Sequence, residues 1–420
     1  MNGAGMGLAA SKAPPFQLPG EHFAAAMGFL LCGVIGVIVV APELAGGAYP
    51  APRVVGVTHL FTLGWITTSI MGALYQFLPV ALGEPIRSIR AAHVTFALYV
   101  PGVAAFVAGM LTGAAPVLLA GAVTFGAGVL LFTVNLGATL WRATHRDVTW
   151  WALAGADLFL GVTLVLGLAL VGNLRWGYLG DARPTALATH LHVALAGWVL
   201  LVIVGVAHRL LPMFLLSHGA GERFAKAAVG LLAAGAATLT LGHHGPPIVS
   251  RWLPALLIGS GLGAFLVQAL RFYRHRHRPA LDPGMRLAGG ALGVLAVGLV
   301  LAGSALLNPA SPRVSTAYVL VIVLGISLFI AAHCYKIVPF LVWYHRFGPL
   351  AGKQAVPRVG ELYSALGAWA AGATLLLGTA VLSTAVVLGS PAAARGGAVV
   401  LATGAAVEAL QMSALARRTP

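Results

Sequence analysis

Two histidines separated by one residue interrupt an apolar stretch in "THLHVALAGW", residues 189 to 198. A similar motif, "THLFTLGW", lies 133 residues earlier and places His59 where the later motif has His192. Neutral imidazole binds haem iron, copper and zinc, and an ionisable side chain inside a membrane is a functional candidate. The two motifs therefore indicate either a metal or haem site or a set of hydrogen bonds between helices.

The composition predicts that these motifs lie in a membrane. Hydrophobic residues make up 59% of the 420 residues and charged residues only 8%, whereas soluble domains have about 25% charged residues. Twelve apolar stretches are long enough to cross a bilayer, which needs about 20 residues. They lie near 23–40, 56–80, 91–110, 116–141, 150–172, 186–216, 224–242, 254–272, 286–307, 315–341, 362–388 and 394–414. We predict an all-α, polytopic membrane protein that contacts the lipid bilayer.

The second and sixth spans are related in sequence. Placing Pro79 under Pro212 gives seven identities in 21 residues, among them His59 with His192, Gly64 with Gly197 and Trp65 with Trp198. A third, weaker copy at 318–340 has Val319 at the histidine position. The spacing predicts one transmembrane domain, 1–420, built from three quasi-equivalent sets of four helices at about 23–141, 150–272 and 286–414.

The distribution of positive charge predicts the orientation. If the spans alternate, 19 of the 25 Lys and Arg residues lie on the side of the N-terminus and six on the other. Cytoplasmic loops carry the excess of such residues, so we expect a multi-pass protein of the cell membrane with both termini cytoplasmic. The net charge of +15 is explained in this way, and a nucleic-acid partner is not expected.

Five histidines are predicted to share the outer level of the membrane: His59, His190, His192, His243 and His244. His190 and His192 point about 200° apart on a regular helix, so each should face a different neighbour. The motif "GHHGPP", residues 242 to 247, interrupts the helix and frees the backbone for adjacent histidines to converge. Three imidazoles, from His192, His243 and His244, suit copper or zinc with an open fourth position.

Two acids, Asp157 and Glu408, lie well inside predicted spans. Either carboxyl could relay protons, or it could pair with a basic neighbour such as Arg209 or Lys336. Pairing is the favoured interpretation, because a buried charge usually has a partner.

Taken together, twelve spans in three sets, a histidine in spans 2 and 6 and the pair after span 7 resemble subunit 1 of the haem-copper oxidases and nitric oxide reductases. The resemblance implies that His59 is an axial ligand of haem b and that His192, His243 and His244 hold copper. His190, on the opposite face of span 6, would be left for a second neighbour such as haem or a polar residue. The resemblance also implies a respiratory role with a cytochrome-type electron donor and small partner subunits.

The chain departs from that family at several positions. Span 10 has Val319 where the family has histidines, and His333 lies fourteen residues further along. Ala196 replaces the tyrosine that oxygen reductases place after their copper histidine, and span 6 lacks the glutamates of nitric oxide reductases. We therefore expect a divergent member that is not a standard oxygen reductase, and assign no catalytic residue. The alternatives are a metal or small-solute transporter and an assembly protein with the same helix bundle.

Overall fold

The computed structural model describes residues 14–242 and 245–420, which form twelve helices long and apolar enough to span a membrane. They are α1 (Gln17–Ala45), α2 (Pro52–Leu82), α3 (Ile89–Thr112), α4 (Ala115–Arg142), α5 (Val148–Trp176), α6 (Gly180–Leu215), α7 (Arg223–Gly242), α8 (Ile248–Arg274), α9 (Pro283–Leu307), α10 (Pro312–Leu350), α11 (Ala365–Leu388) and α12 (Pro391–Ala416). Within the described ranges no strand forms, apart from two isolated bridges. The predicted all-α, polytopic membrane fold is confirmed.

The chain divides into two compact units. One comprises Ile70–Arg278 together with the described residues up to Pro19, and the other comprises Gly20–Ser69 and Pro279–Pro420. We call them unit 1 and unit 2. Unit 1 contains the later part of α2 and helices α3 to α8, and unit 2 contains most of α1, the first part of α2 and helices α9 to α12. The single domain of three repeats stays a prediction.

Several helices that follow each other within one unit pack as close hairpins, of which α3 and α4 are an example. Gly113, at φ 72°, ends α3 in the left-handed conformation, and α4 begins at Ala115. A Cβ atom on Gly121 of α4 would lie 2.2 Å from the backbone nitrogen of Phe106 on α3. The helix backbones therefore touch at a glycine, which is how helices associate where water does not drive them together.

A side chain of α4 holds the connection between α2 and α3. The Ser88 backbone N–H donates to Asn135 Oδ1, and Asn135 Nδ2 donates to the Ser88 carbonyl, both at 3.0 Å. Ser88 also caps α3, because its hydroxyl accepts from the Ala91 N–H at 3.1 Å. These bonds satisfy backbone groups that a membrane would leave without water.

An ion pair recurs at the starts of α5 and α9. Asp147 caps α5 and pairs with Arg209 of α6, while Asp282 caps α9 and pairs with Lys336 of α10. Arg209 and Lys336 each stand three residues before the aligned prolines, Pro212 and Pro339. The second and third sets thus share a contact that the sequence comparison alone did not reveal.

Candidate metal centre

His59 lies where α2 changes its helical type. The helix is regular from Pro52 to His59, is a π-helix over Leu60–Thr67 and is regular again over Thr68–Leu82. The His59 ring is partly buried, and its Nδ1 lies 2.8 Å from the Val55 carbonyl oxygen. A carbonyl only accepts, so Nδ1 carries the proton and Nε2 carries the lone pair that would bind a metal.

His192 has the same local structure in α6. A regular segment, Arg183–His192, ends at this residue and is followed by the π-helix Val193–Leu200 and the regular segment Leu201–Leu215. The His192 Nδ1 lies 2.7 Å from the Ala188 carbonyl oxygen, so its Nε2 also carries the lone pair. The two π segments coincide residue for residue in the alignment of the repeats, which places the two histidines in equivalent positions.

The third copy of the motif, in α10, lacks both the histidine and the π segment that follows it. The helix is regular throughout Pro312–Val342, and its only π segment, Trp343–Phe347, comes at the far end of the helix. Val319 stands in the part that matches His59, and it is buried. In the described structure, a π segment within the repeated motif therefore accompanies a histidine.

The bond from Nδ1 to the carbonyl four residues earlier is not by itself a sign of a metal site. His333, in regular helix, makes the same bond to Phe329, and His275, which directly follows the end of α8, makes it to Arg271. What sets His59 and His192 apart is the π-helix that follows them. Such segments are rare and frequently occur at functional sites.

The glycine of the repeated motif lets each π segment pack closely against a neighbouring helix. A Cβ atom on Gly64 would lie 2.6 Å from Cβ and Cγ of Phe29 in α1, and one on Gly197 would lie 2.7 Å from the same atoms of Phe159 in α5. Because no side chain fits there, the phenylalanine packs directly on the π backbone. The sequence identified the two glycines but gave no sign of their phenylalanine partners.

The tryptophan of the motif supplies a buried donor. Trp65 and Trp198 are almost completely buried, at 0% and 2% exposed. The indole N–H of Trp65 has no hydrogen-bond partner among the described residues. A buried N–H without a partner is unusual, and here it lies in the π segment that follows His59.

A small cavity of about 30 Å³ lies beside the His59 segment in unit 2. Thr58 and Phe61, which flank His59, line one part of it, and residues of α10, including Val319, line another. This space is enough for about one or two water molecules, whereas ligand pockets usually have volumes of about 300–1,000 Å³. A haem beside His59 would therefore require the apolar lining to move apart, and α10 contributes no imidazole to that lining.

His190 packs against α5, where a Cβ atom on Gly167 would approach its Cε1 to 3.0 Å. This contact gives His190 a neighbour within unit 1, as expected of one of two histidines on a helix. That His190 serves a haem stays a prediction.

The predicted copper ligands His243 and His244 lie outside the described residues. Among residues 14–242 and 245–420, no group of three or more His, Cys, Asp and Glu residues is arranged to hold a metal ion. The three-histidine site formed with His192 is therefore neither confirmed nor contradicted.

The favoured pairing of the two intramembrane acids is wrong in the form that we gave it. Arg209 pairs with Asp147 and Lys336 pairs with Asp282. The pairing fails because each base reaches the acid that caps a neighbouring helix rather than the acid within a span. Asp157 contacts Gly137, where a Cβ atom would lie 2.9 Å from its Oδ2.

Three charged or titratable residues form a cluster where α6 and α7 are connected: His208 of α6, Glu222 of the loop and Lys226 of α7. Glu222 receives a hydrogen bond from Lys226, 3.2 Å away, and lies 3.5 Å from His208 Nε2. These contacts, with that to Lys226 the larger, hold the pKa of Glu222 below its usual value. Glu222 is about half exposed, so the cluster contributes little stability.

Comparison with protein families and curated proteins gives no relative on which to base an assignment. No protein-family model matches the chain, and no curated protein matches it.

Proposed function

We propose that this chain is a membrane redox protein of the haem-copper oxidase type, in which histidines of α2 and α6 hold haem b and copper. The observation that carries the proposal is the matched local structure of His59 and His192. Each has its Nδ1–H bonded to a backbone carbonyl and is followed by a π segment in the same register. Metal-binding histidines usually donate their other N–H in this way, which fixes the ring and its basicity.

His59 would offer one imidazole to a haem, with Nε2 as the ligand atom. The lining of the neighbouring cavity is mainly apolar, and Trp65 in the following π segment has a buried indole N–H without a hydrogen-bond partner among the described residues. Bound haem iron would supply one-electron chemistry. The protein would orient the imidazole through Val55 and exclude water with the apolar lining.

Helix α10 would contribute no haem ligand at this level, because Val319 is apolar. His192 would contribute one imidazole to copper, with His243 and His244 completing the site. His190 would serve a second neighbour. The protein would not be a standard oxygen reductase, because Ala196 of α6 stands in place of a tyrosine. A cytochrome-type donor would supply electrons in this respiratory role, and small subunits would complete the assembly.

An optical spectrum of protein purified from haem-replete cells tests the haem proposal. We expect a Soret band that falls at least about tenfold in the His59→Gln variant. The exposed loop residue His145 provides the matched control, and His145→Gln should keep the band. Pigment-free wild-type protein would refute the haem proposal, and metal-dependent flux through liposomes without a chromophore would favour a transporter.

Metal analysis tests the copper proposal separately. We expect about one copper per chain, lost in His192→Gln, His243→Ala and His244→Ala and kept in His145→Gln. Unchanged copper in all three variants, each still folded, would show that the histidines do not form this site.

We also propose that the protein lies in the cell membrane with both termini cytoplasmic, since this orientation places 19 of 25 basic residues inside. Reporter fusions after residues 88, 220 and 352 should read cytoplasmic, and those after residues 48, 180 and 312 external. Two or more inversions would contradict this orientation.

A further inference from the structure

Glu408 of α12 is a carboxyl inside the membrane-spanning part of unit 2. Its side chain is 0% exposed, and neither of its oxygen atoms has a hydrogen-bond partner among the described residues. Lys336, a base on the neighbouring α10, pairs with Asp282. No ion pair therefore reaches Glu408 in the part of the chain that the structure describes.

An ionised carboxylate is very unfavourable in such a place. Moving it from water into a medium of low dielectric constant costs several kcal/mol even after the protein relaxes, and hydrogen bonds or a cation must offset that cost. Where neither is present, the group takes up a proton instead. The burial of Glu408 thus favours the neutral carboxylic acid.

Polar side chains of α10 and α12 lie near this carboxyl. Gln411 lies three residues after Glu408 on α12 and donates from Nε2 to the Tyr335 hydroxyl of α10 at 3.0 Å. The Gln411 Oε1 is buried and has no hydrogen-bond partner in the described residues. Cys334 and Tyr335 are the titratable groups of α10 close enough to Glu408 to interact electrostatically. The ring of Tyr363 lies against Tyr335 at 5.3 Å.

The other helix packed on α12 adds no charge. Helix α11 contains no acidic, basic, cysteine, tyrosine or histidine residue. The site therefore has three acceptor oxygens without partners, from Glu408 and Gln411, and weak donors in Tyr335 and Cys334. A surplus of buried acceptors with no basic residue is suited to a bound proton.

The position of Glu408 along α12 indicates where the proton would come from. The residue lies eight positions before the end of the helix at Ala416, about 12 Å along the axis, and seventeen after Pro391, about 26 Å. Lys336, next to Tyr335, is 14% exposed and its partner Asp282 is 22% exposed. Polar groups thus continue from the Tyr335 position to a partly exposed ion pair.

We propose that Glu408 is a proton-binding site within the membrane that exchanges its proton with water at the Ala416 end of α12. On ionisation the proton leaves to water, and the carboxylate accepts from the Tyr335 hydroxyl. The site requires neither haem nor copper, so its failure would leave the proposed function untouched.

Infrared spectroscopy of the full-length protein in lipid vesicles provides the test. We expect the C=O stretching band of a protonated carboxylic acid at neutral pH, lost in Glu408→Gln and kept in Asp157→Asn, the matched control. If the Gln variant does not fold, Glu408→Asp should instead shift the frequency of the band. A spectrum that neither Glu408 variant alters, with the protein folded, would overturn the proposal.

Two further measurements test the donor to the carboxylate and distinguish a bound proton from a bound cation. Tyr335→Phe removes a donor to the carboxylate and should raise the affinity of Glu408 for its proton about tenfold or more, since a hydrogen bond to a charged group contributes about 1.5–3 kcal/mol. The band should be unchanged when sodium replaces potassium at constant ionic strength. Loss of the band in sodium alone would identify a sodium site and overturn the proposal.

Discussion

The contact between Gly64 and Phe29 allows a quantitative test of how the π segment of α2 is held. In the Gly64→Ala variant the new Cβ would lie 2.6 Å from Phe29 Cβ and Cγ, whereas ordinary contacts are 3.4–4 Å. Both atoms lie near the backbone of α1, so rotation of the ring cannot relieve the overlap. Overpacking of this kind destabilises a protein by about 1–3 kcal/mol.

A matched control accounts for the change in helix propensity that replacing glycine by alanine also causes. Alanine favours a helix over glycine by about 1 kcal/mol in water, and this gain should be similar at Gly28 of α1, where nothing lies within 4 Å of a new Cβ. The difference between Gly64→Ala and Gly28→Ala therefore isolates the overlap, and we expect about 1–3 kcal/mol. The same difference should separate Gly197→Ala from Gly230→Ala in unit 1.

The assay is reversible unfolding in mixed micelles with increasing SDS, followed by circular dichroism. Both π-segment variants should unfold at lower SDS than their controls. If Gly64→Ala and Gly197→Ala unfold at the same SDS fraction as Gly28→Ala and Gly230→Ala, phenylalanine does not approach the π backbone as closely as described.

Two other substitutions test the packing of unit 1 by the same unfolding assay. Gly121→Ala should destabilise more than Gly197→Ala, because the new Cβ would meet the backbone nitrogen of Phe106 at 2.2 Å; equal stability would contradict the backbone contact. Asn135→Leu should destabilise by about 1–3 kcal/mol, because it leaves the partly buried backbone N–H of Ser88 without its partner. An unchanged transition would show that water or another group satisfies it.

Much of the helical architecture could be predicted because apolar length and composition determine which segments cross a bilayer. The ends were less predictable: the span near 315–341 extends over Pro312–Leu350, since polar residues such as His345 and Arg346 continue the helix beyond the apolar run. Local hydrophobicity carries no information on such extensions.

The candidate site was only partly predictable. The repeated histidines and glycines were visible in the sequence, but the π-helices were not, because their altered hydrogen bonding has no compositional signature. Ion-pair partners were also mispredicted for Arg209 and Lys336. Their choice depends on which helix start comes within reach, a property of packing over more than fifty residues of chain.

The π segments change which residues of the three copies occupy structurally equivalent positions. A π turn accommodates about one more residue than an α turn, so α2 and α6 carry an insertion relative to the regular α10. Measured back from Pro339, the spatial counterpart of His59 would then be Leu320 instead of Val319. Both residues are aliphatic and both line the same cavity, so α10 presents hydrocarbon at this level whichever register is used.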